Sequence, residues 1–289
     1  MLILADDWKD YEIIDAGNGE KLERWKNIVL RRPDPQAIWP ADTDNVKWKD
    51  VHGHYHRSSK GGGTWEFKKK IPERWTISYK GISFYIKPTG FKHTGLFPEQ
   101  AANWSWMIDK ISKANRPIKV LNLFAYTGGA TCAASYAGAE EVCHVDASKG
   151  MVAWAKENAE LSGLSNNKIR YIVDDCFKFV QREIRRGNKY DAVIMDPPSY
   201  GRGPNGEIWK FEEELTKLLK LTSEVLSDEP LFLLLNSYTT GLSPTAIENM
   251  LKLIIVKDKQ GSVSSGEIGL PVKKEDLILP CGIYGRWEK

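Results

Sequence analysis

From Ile118 onward, short apolar runs alternate with longer amphipathic segments, and this rhythm narrows the possible folds more than any other feature of the chain. The runs fall at residues 120–124, 141–145, 169–173, 192–195 and 231–235, with helices predicted between them over 130–136, 149–161, 177–185 and 211–226. Strands apolar on both faces and joined by helices must be covered on both sides, which predicts a parallel, doubly wound, Rossmann-like α/β sheet. A further helix is predicted over 244–256. Residues 262–270 and 283–287 are predicted to pair as antiparallel strands at the sheet edge.

Before residue 115 the pattern differs. Eight of the eleven tryptophans (Trp8, Trp25, Trp39, Trp48, Trp65, Trp75, Trp104 and Trp106) lie there, in short segments divided by Pro, Gly and Asp. Residues 28–30, 63–69 and 75–87 read as strands, with turns at Pro33-Asp34-Pro35 and Gly61-Gly62-Gly63. Residues 100–114 read as a helix, with Ala101, Trp104, Ile108 and Ile111 on one face and Pro117 ending it. These patterns predict a smaller β-rich domain over 1–90 and the α/β domain over 91–289.

Composition excludes several classes. No apolar run approaches the ~20 residues of a membrane span, and residues 1–10 carry three acids without a basic-then-apolar signal pattern, so a cytoplasmic protein without membrane partners is expected. Four scattered cysteines (Cys132, Cys143, Cys176, Cys281) match neither zinc-ligand nor disulfide spacing, and no metal is expected. The net charge of +3 mixes both signs and does not by itself demand a nucleic-acid partner.

Three motifs sit where strands of such a sheet should end, which is where its ligands bind. Asn122-Leu123-Phe124-Ala125-Tyr126-Thr127-Gly128-Gly129 leaves the first strand through a glycine turn into a helix, where glycines let a ligand approach the backbone; a tight turn without a ligand would share this composition. The second strand ends at Asp146-Ala147-Ser148, about twenty residues on, where a carboxylate can accept hydrogen bonds from both ribose hydroxyls or cap the next helix. Asp174-Asp175-Cys176 follows the third, and Asp175 can cap a helix or accept from an adenine amino group. After the fourth strand, Asp196-Pro197-Pro198-Ser199-Tyr200 reads as a rigid acceptor array for a planar heterocycle, with Tyr200 able to stack on it. A plain strand-ending turn is the alternative.

With these motifs in order, the chain resembles the class I S-adenosylmethionine-dependent methyltransferases, and more narrowly the bacterial large-subunit (23S) rRNA methyltransferases acting on cytosine C5 or guanine N7. Residues 122–129, 145–148, 174–177 and 196–203 carry the likeness, together with Lys92-His93-Thr94-Gly95-Leu96-Phe97-Pro98-Glu99-Gln100, where the resemblance implies that Thr94, Gly95 and Gln100 line the cofactor. It implies S-adenosylmethionine bound by these residues with Asn122, Phe124 to Gly129, Asp146, Ala147, Ser148, Asp175, Cys176 and Asp196, a reaction centre at Asp196 to Tyr200, and an RNA partner. The full G-x-G-x-x-G phosphate fingerprint is absent from the loop, which weakens the alternative of a nicotinamide-dependent oxidoreductase. A non-catalytic RNA-binding module is the third reading. Methylation at C5 needs a thiolate, which the cytosine-specific relatives place after the fifth strand. Asn236-Ser237-Tyr238-Thr239-Thr240 stands there, so guanine N7 or an exocyclic amine is expected.

Two features stand outside this scheme. His52, His54 and His56 would place three imidazoles on one strand face, read as a polar or RNA-contacting surface because no familiar ligand spacing completes a metal set. Lys68-Lys69-Lys70 with Arg74, and Arg57-Ser58-Ser59-Lys60, lie among aromatic residues and could track phosphates or simply face solvent.

Overall fold

The computed structural model describes residues 1–58, 62–202, 208–274 and 276–289. Two compact units emerge: Leu4–Ala102 with Ile268–Cys281, and Met1–Ile3 with Asn103–Glu267 and Gly282–Lys289. This differs from the division predicted at residue 90. A C-terminal stretch groups with the first unit because its strand pairs there, Val272 lying beside Ile13.

The first unit is β-rich. After β1 (Leu2–Leu4), strands β2 (Tyr11–Gly17) and β3 (Glu20–Trp25) form a hairpin whose central residues, Asn18 and Gly19, have φ of 51° and 78°, as a type I′ turn requires. Then come β4 (Ile28–Pro33), α1 (Val46–Lys49), β5 (Gly53–Arg57) and β6 (Gly63–Phe67), giving the order β2-β3-β4-β5-β6. Leu22, Trp48 and Val51 form a fully buried cluster under this sheet. The single strand expected over 75–87 is instead a hairpin, β7 (Trp75–Tyr79) and β8 (Ile82–Ile86), because Lys80 and Gly81 both adopt left-handed φ (47° and 88°). Of the turn expected at Gly61 to Gly63, Gly61 lies outside the described residues, as do Ser59, Lys60 and, in the later motif, Gly203.

The second unit is the doubly wound sheet. Helix α2 (Ala101–Ser112) precedes β9 (Lys119–Leu123), α3 (Gly129–Tyr136), β10 (Glu141–Asp146), α4 (Lys149–Leu161), β11 (Ile169–Val173), α5 (Cys176–Arg185) and β12 (Ala192–Met195). A short pair, β13 (Tyr200–Arg202) and β14 (Ile208–Lys210), leads to α6 (Phe211–Val225), β15 (Phe232–Ser237) and α7 (Pro244–Leu251), which continues as a π-helical turn over Lys252–Val256. The last strands, β16 (Ser262–Val272) and β17 (Leu277–Glu288), contribute residues to both units. Strand order in this unit is β11-β10-β9-β12-β15-β17-β16, parallel through β15, with β17 antiparallel to it. The chain turns to one side of β9 for β10 and to the other for β12, so the switch point lies at β9. Leu121, Leu123, Val145, Val193, Met195, Leu233 and Leu235 are at most marginally exposed in the core beneath the helices. Among the described residues no helix is long and apolar enough to cross a membrane.

Candidate cofactor and acceptor site

Register alone brings the second unit's motifs to one edge. Leu123 pairs with Val145 and with Met195, and Met195 with Leu235, so Phe124, Asp146, Asp196 and Asn236 all follow at the carboxyl ends of neighbouring strands. The turn after β9 is held in a conformation that bulky residues resist, with φ of 54° at Phe124, 50° at Tyr126 and 82° at Gly128. Left-handed geometry costs an L-residue roughly 1–2 kcal/mol, so neighbouring bonds must impose it. They do. Ala125 N donates to Val145 O (3.0 Å), Phe124 N to the Cys176 sulfur (3.3 Å), and Tyr126 N to Asp146 Oδ2 (2.8 Å).

Asp146 therefore organises the turn as well as ending β10. Its other oxygen, Oδ1, accepts from Ser148 N (2.8 Å), and burial raises its pKa against the lowering effect of these two bonds. A carboxylate oxygen has two lone pairs, so one acceptor site per oxygen remains for ribose hydroxyls. The cap of α4 is Ser148, whose Oγ accepts from Met151 N, and Ala147 is exposed between them. Asp175 caps α5 through Oδ1 and Lys178 N (2.9 Å), while Asp174 pairs with Arg182. Cys176 is buried, and burial pushes its thiol up.

The glycines have another reason than the expected one. A Cβ on Gly128 would sit 2.8 Å from Cβ of Ala155, and one on Gly129 2.6 Å from the Trp104 ring, so protein, and not ligand, occupies that space. Thr127 is buried and its carbonyl accepts from Asn158 Nδ2 (2.9 Å). Asn122 points its amide inward to Thr131 Oγ1 (2.9 Å), which in turn meets His144 Nδ1 (2.9 Å). Burial pulls the pKa of His144 down to about 3, so this strand-to-helix link is neutral.

In the acceptor loop Pro197 is buried, whereas Pro198, Ser199 and Tyr200 are exposed. The Pro198 carbonyl takes the indole N–H of Trp209, which ties the acceptor loop to β14. Ser199 Oγ accepts from Thr239 Oγ1 (2.9 Å), tying the loops after β12 and β15 together. Sequence reasoning missed Trp209. Its ring lies 5.3 Å from Phe124 and 5.8 Å from Phe177, an aromatic wall beside the turn. It also missed a polar chain behind Asn236: Arg286 donates to Asn103 Oδ1 (2.7 Å), and Asn103 Nδ2 donates to Asn236 Oδ1 (2.8 Å). These partners are up to 183 residues apart, and only the repeated Asn and Arg identities could have hinted at them.

The remaining candidates belong to the first unit. Thr94, Gly95 and Gln100 are buried, Gly95 has a φ of 98°, and the Thr94 hydroxyl has no hydrogen-bond partner among the described residues. An orphaned buried hydroxyl fits a residue that awaits a polar ligand. Cys281 lies 3.4 Å from Leu279 O, and burial pushes its thiol well up. The three histidines do not share one role: His52 Nδ1 accepts from Val29 N (3.1 Å), His54 meets Glu20, and His56 meets Glu66. Arg74 covers the ring of Tyr85 at 4.0 Å, and Lys69 pairs with Asp50.

Residues 36–247 match the family model of the S-adenosylmethionine-dependent methyltransferases. A solved SAM-dependent methyltransferase from Agrobacterium tumefaciens is 39% identical with a TM-score of 0.93, over 100% of this chain and 93% of that one. The ribosomal RNA large subunit methyltransferase K/L of Shewanella frigidimarina is 32% identical over 209 residues, 71% of this chain but 27% of its own length. The corresponding methyltransferase K of Neisseria meningitidis is 27% identical over 74% of this chain and 61% of its own length. This chain thus spans only part of those two relatives. The doubly wound sheet, with its acids at the carboxyl edge and a turn lacking the phosphate fingerprint, agrees with the match: the chain belongs to the S-adenosylmethionine-dependent methyltransferase family.

Proposed function

We propose that this enzyme methylates a base of ribosomal RNA, at guanine N7 or an exocyclic amine, without a cysteine adduct. The observation that carries the chemistry is where the cysteines lie: none stands in Asn236 to Thr240 after β15, and Cys132, Cys143 and Cys176 are buried. Burial pushes all four thiols up, Cys132 to about 12 and Cys143 to about 11, and a protonated thiol is a poor nucleophile. The RNA substrate rests on the names of the two curated relatives.

When bound, S-adenosylmethionine supplies an electrophilic methyl group on a sulfonium. With it bound, Asp146 would accept from the ribose hydroxyls and the second oxygen of Asp175 from the adenine amine. Asp196 holds the acceptor base and Tyr200, 51% exposed, stacks on it. Methylation of N7 leaves a cationic base, and an exocyclic amine becomes cationic until it sheds a proton. A carboxylate at Asp196 offsets either charge. The β-rich unit serves substrate recognition, through Lys68 to Lys70 beside exposed Phe67.

Mass spectrometry of nucleosides from rRNA treated with the enzyme tests this. We expect an N-methylated base, retained in Cys281→Ser, and about 100-fold or greater loss of kcat/KM in Asp196→Ala. A covalent complex with RNA containing 5-fluorocytosine, abolished by Cys281→Ser, would restore the C5 reading.

A further inference from the structure

Strand β5 alternates its side chains, so His54 and His56 leave the same face while Tyr55 leaves the other. The β5–β6 register sets Glu66 opposite His54, and sets Trp65 opposite Tyr55. One face of this hairpin is thereby aromatic, with the Trp65 and Phe67 rings stacked 5.8 Å apart at an interplanar angle of 9°. The other gathers nitrogen and oxygen donors. The two imidazole rings lie 3.9 Å apart, and one donor atom from each of His54, His56 and Glu66 lies within 4.8 Å of the others. A single divalent ion between them could take a ring-nitrogen lone pair from each.

We propose that His54, His56 and Glu66 form a zinc-type metal site that staples β5 to β6. Two imidazoles with one carboxylate suit Zn2+, whereas Ca2+ and Mg2+ take oxygen ligands. Tetrahedral coordination with bonds of about 2.0–2.2 Å brings ligand atoms to about 3.4 Å from one another. The donor atoms start within 4.8 Å of one another, and His56 and Glu66, 49% and 54% exposed, lie on the solvent side where their side chains can turn toward an ion. The ion replaces the hydrogen bond that now joins them at 2.8 Å. His54 is already oriented. Its Nε2 meets Glu20 Oε1 at 2.8 Å, which leaves Nδ1 for the ion, and a carboxylate on the far nitrogen is the usual support for a metal-bound imidazole. Glu20 is itself fixed by Arg31. The spacing His-x-His was visible in the sequence, but its carboxylates come from other strands, 34 and 10 residues away.

Calorimetric titration of the full chain with ZnCl2, after treatment with chelator, tests the site. One equivalent should bind with micromolar or tighter affinity, MgCl2 should not compete, and Co2+ should give the intense visible bands of a tetrahedral complex. Glu66→Gln keeps both histidines and a similar shape, so it should fold; it should weaken Zn2+ by tenfold or more, and Glu20→Gln by about tenfold. The double variant His54→Ala/His56→Ala should lose the site, together with the Zn2+-dependent rise in unfolding temperature. Absence of stoichiometric Zn2+ binding, or binding equally tight in Glu66→Gln and the double variant, would overturn the proposal.

Discussion

Two turns in this molecule use the same left-handed backbone for opposite ends. In the β2–β3 hairpin, Asn18 and Gly19 adopt positive φ as the ordinary way to reverse a strand, and a Cβ on Gly19 would meet nothing within 4 Å. In the turn after β9, positive φ falls on Phe124 and Tyr126, where it costs most, while Gly128 and Gly129 are pressed against Ala155 and the Trp104 ring. The hairpin needs only local chemistry. The β9 turn is over-determined by tertiary contacts: Asp146, Cys176 and Val145 each take one of its N–H groups. Strain of this kind persists only where surroundings enforce it, and here the enforcing residue is the acid proposed to hold the cofactor ribose. The turn is consequently rigid before any ligand arrives.

Glycine-to-alanine substitutions should separate the two cases. Gly128→Ala adds a left-handed penalty to a 2.8 Å clash, so we expect a stability loss of about 2–4 kcal/mol by urea unfolding, with weakened S-adenosylhomocysteine binding by calorimetry. Gly129→Ala meets only the ring and should cost about 1–3 kcal/mol. Gly19→Ala carries the backbone penalty alone, about 1 kcal/mol, and should leave cofactor affinity unchanged. Equal losses at Gly128 and Gly19 would mean that α4 yields easily, and the contrast between the turns would disappear.

The same contrast explains what could be read from the chain. The central parallel strands were legible because burial on both faces writes them as apolar runs: 192–195 falls on the fully buried β12 without a shift, and 169–173 falls on β11 although that edge strand is only part-buried and carries Arg170. Strands β2 and β3 were not, since Glu12, Asp15, Glu20, Glu23 and Arg24 break their apolar pattern, although Asn18-Gly19 is a strong hairpin signal. The reading of 75–87 failed for a related reason: Lys80 is an unusual residue for a left-handed turn position and hid the reversal. At the candidate site, sequence order placed the acids at strand ends. It offered capping as one reading of Asp175 without choosing it, and could not tell that the glycines serve packing or that Trp209 returns to Phe124 and Phe177, because those facts depend on which residues meet in space.

The smallest expected effect concerns the proton on Asp146, and it should act in opposite directions on stability and on binding. Burial raises its folded pKa above the ordinary carboxylate value despite two backbone hydrogen bonds. A raised folded pKa favours the protonated acid in the fold, so this group's contribution to stability is greatest below the unfolded pKa and is lost as pH rises through the folded one. Cofactor binding should show the reverse trend. Ribose hydroxyls donate to the carboxylate, and a protonated oxygen would have to give up an acceptor site to them or to the Tyr126 and Ser148 amides. Calorimetry of S-adenosylhomocysteine binding from pH 7 downward should therefore show affinity falling with proton release, beginning above the ordinary aspartate range. Asp146→Asn should abolish that acid limb, and an unaltered limb in Asp146→Asn would assign it to another acid and leave the turn's rigidity without its proposed link to the ribose.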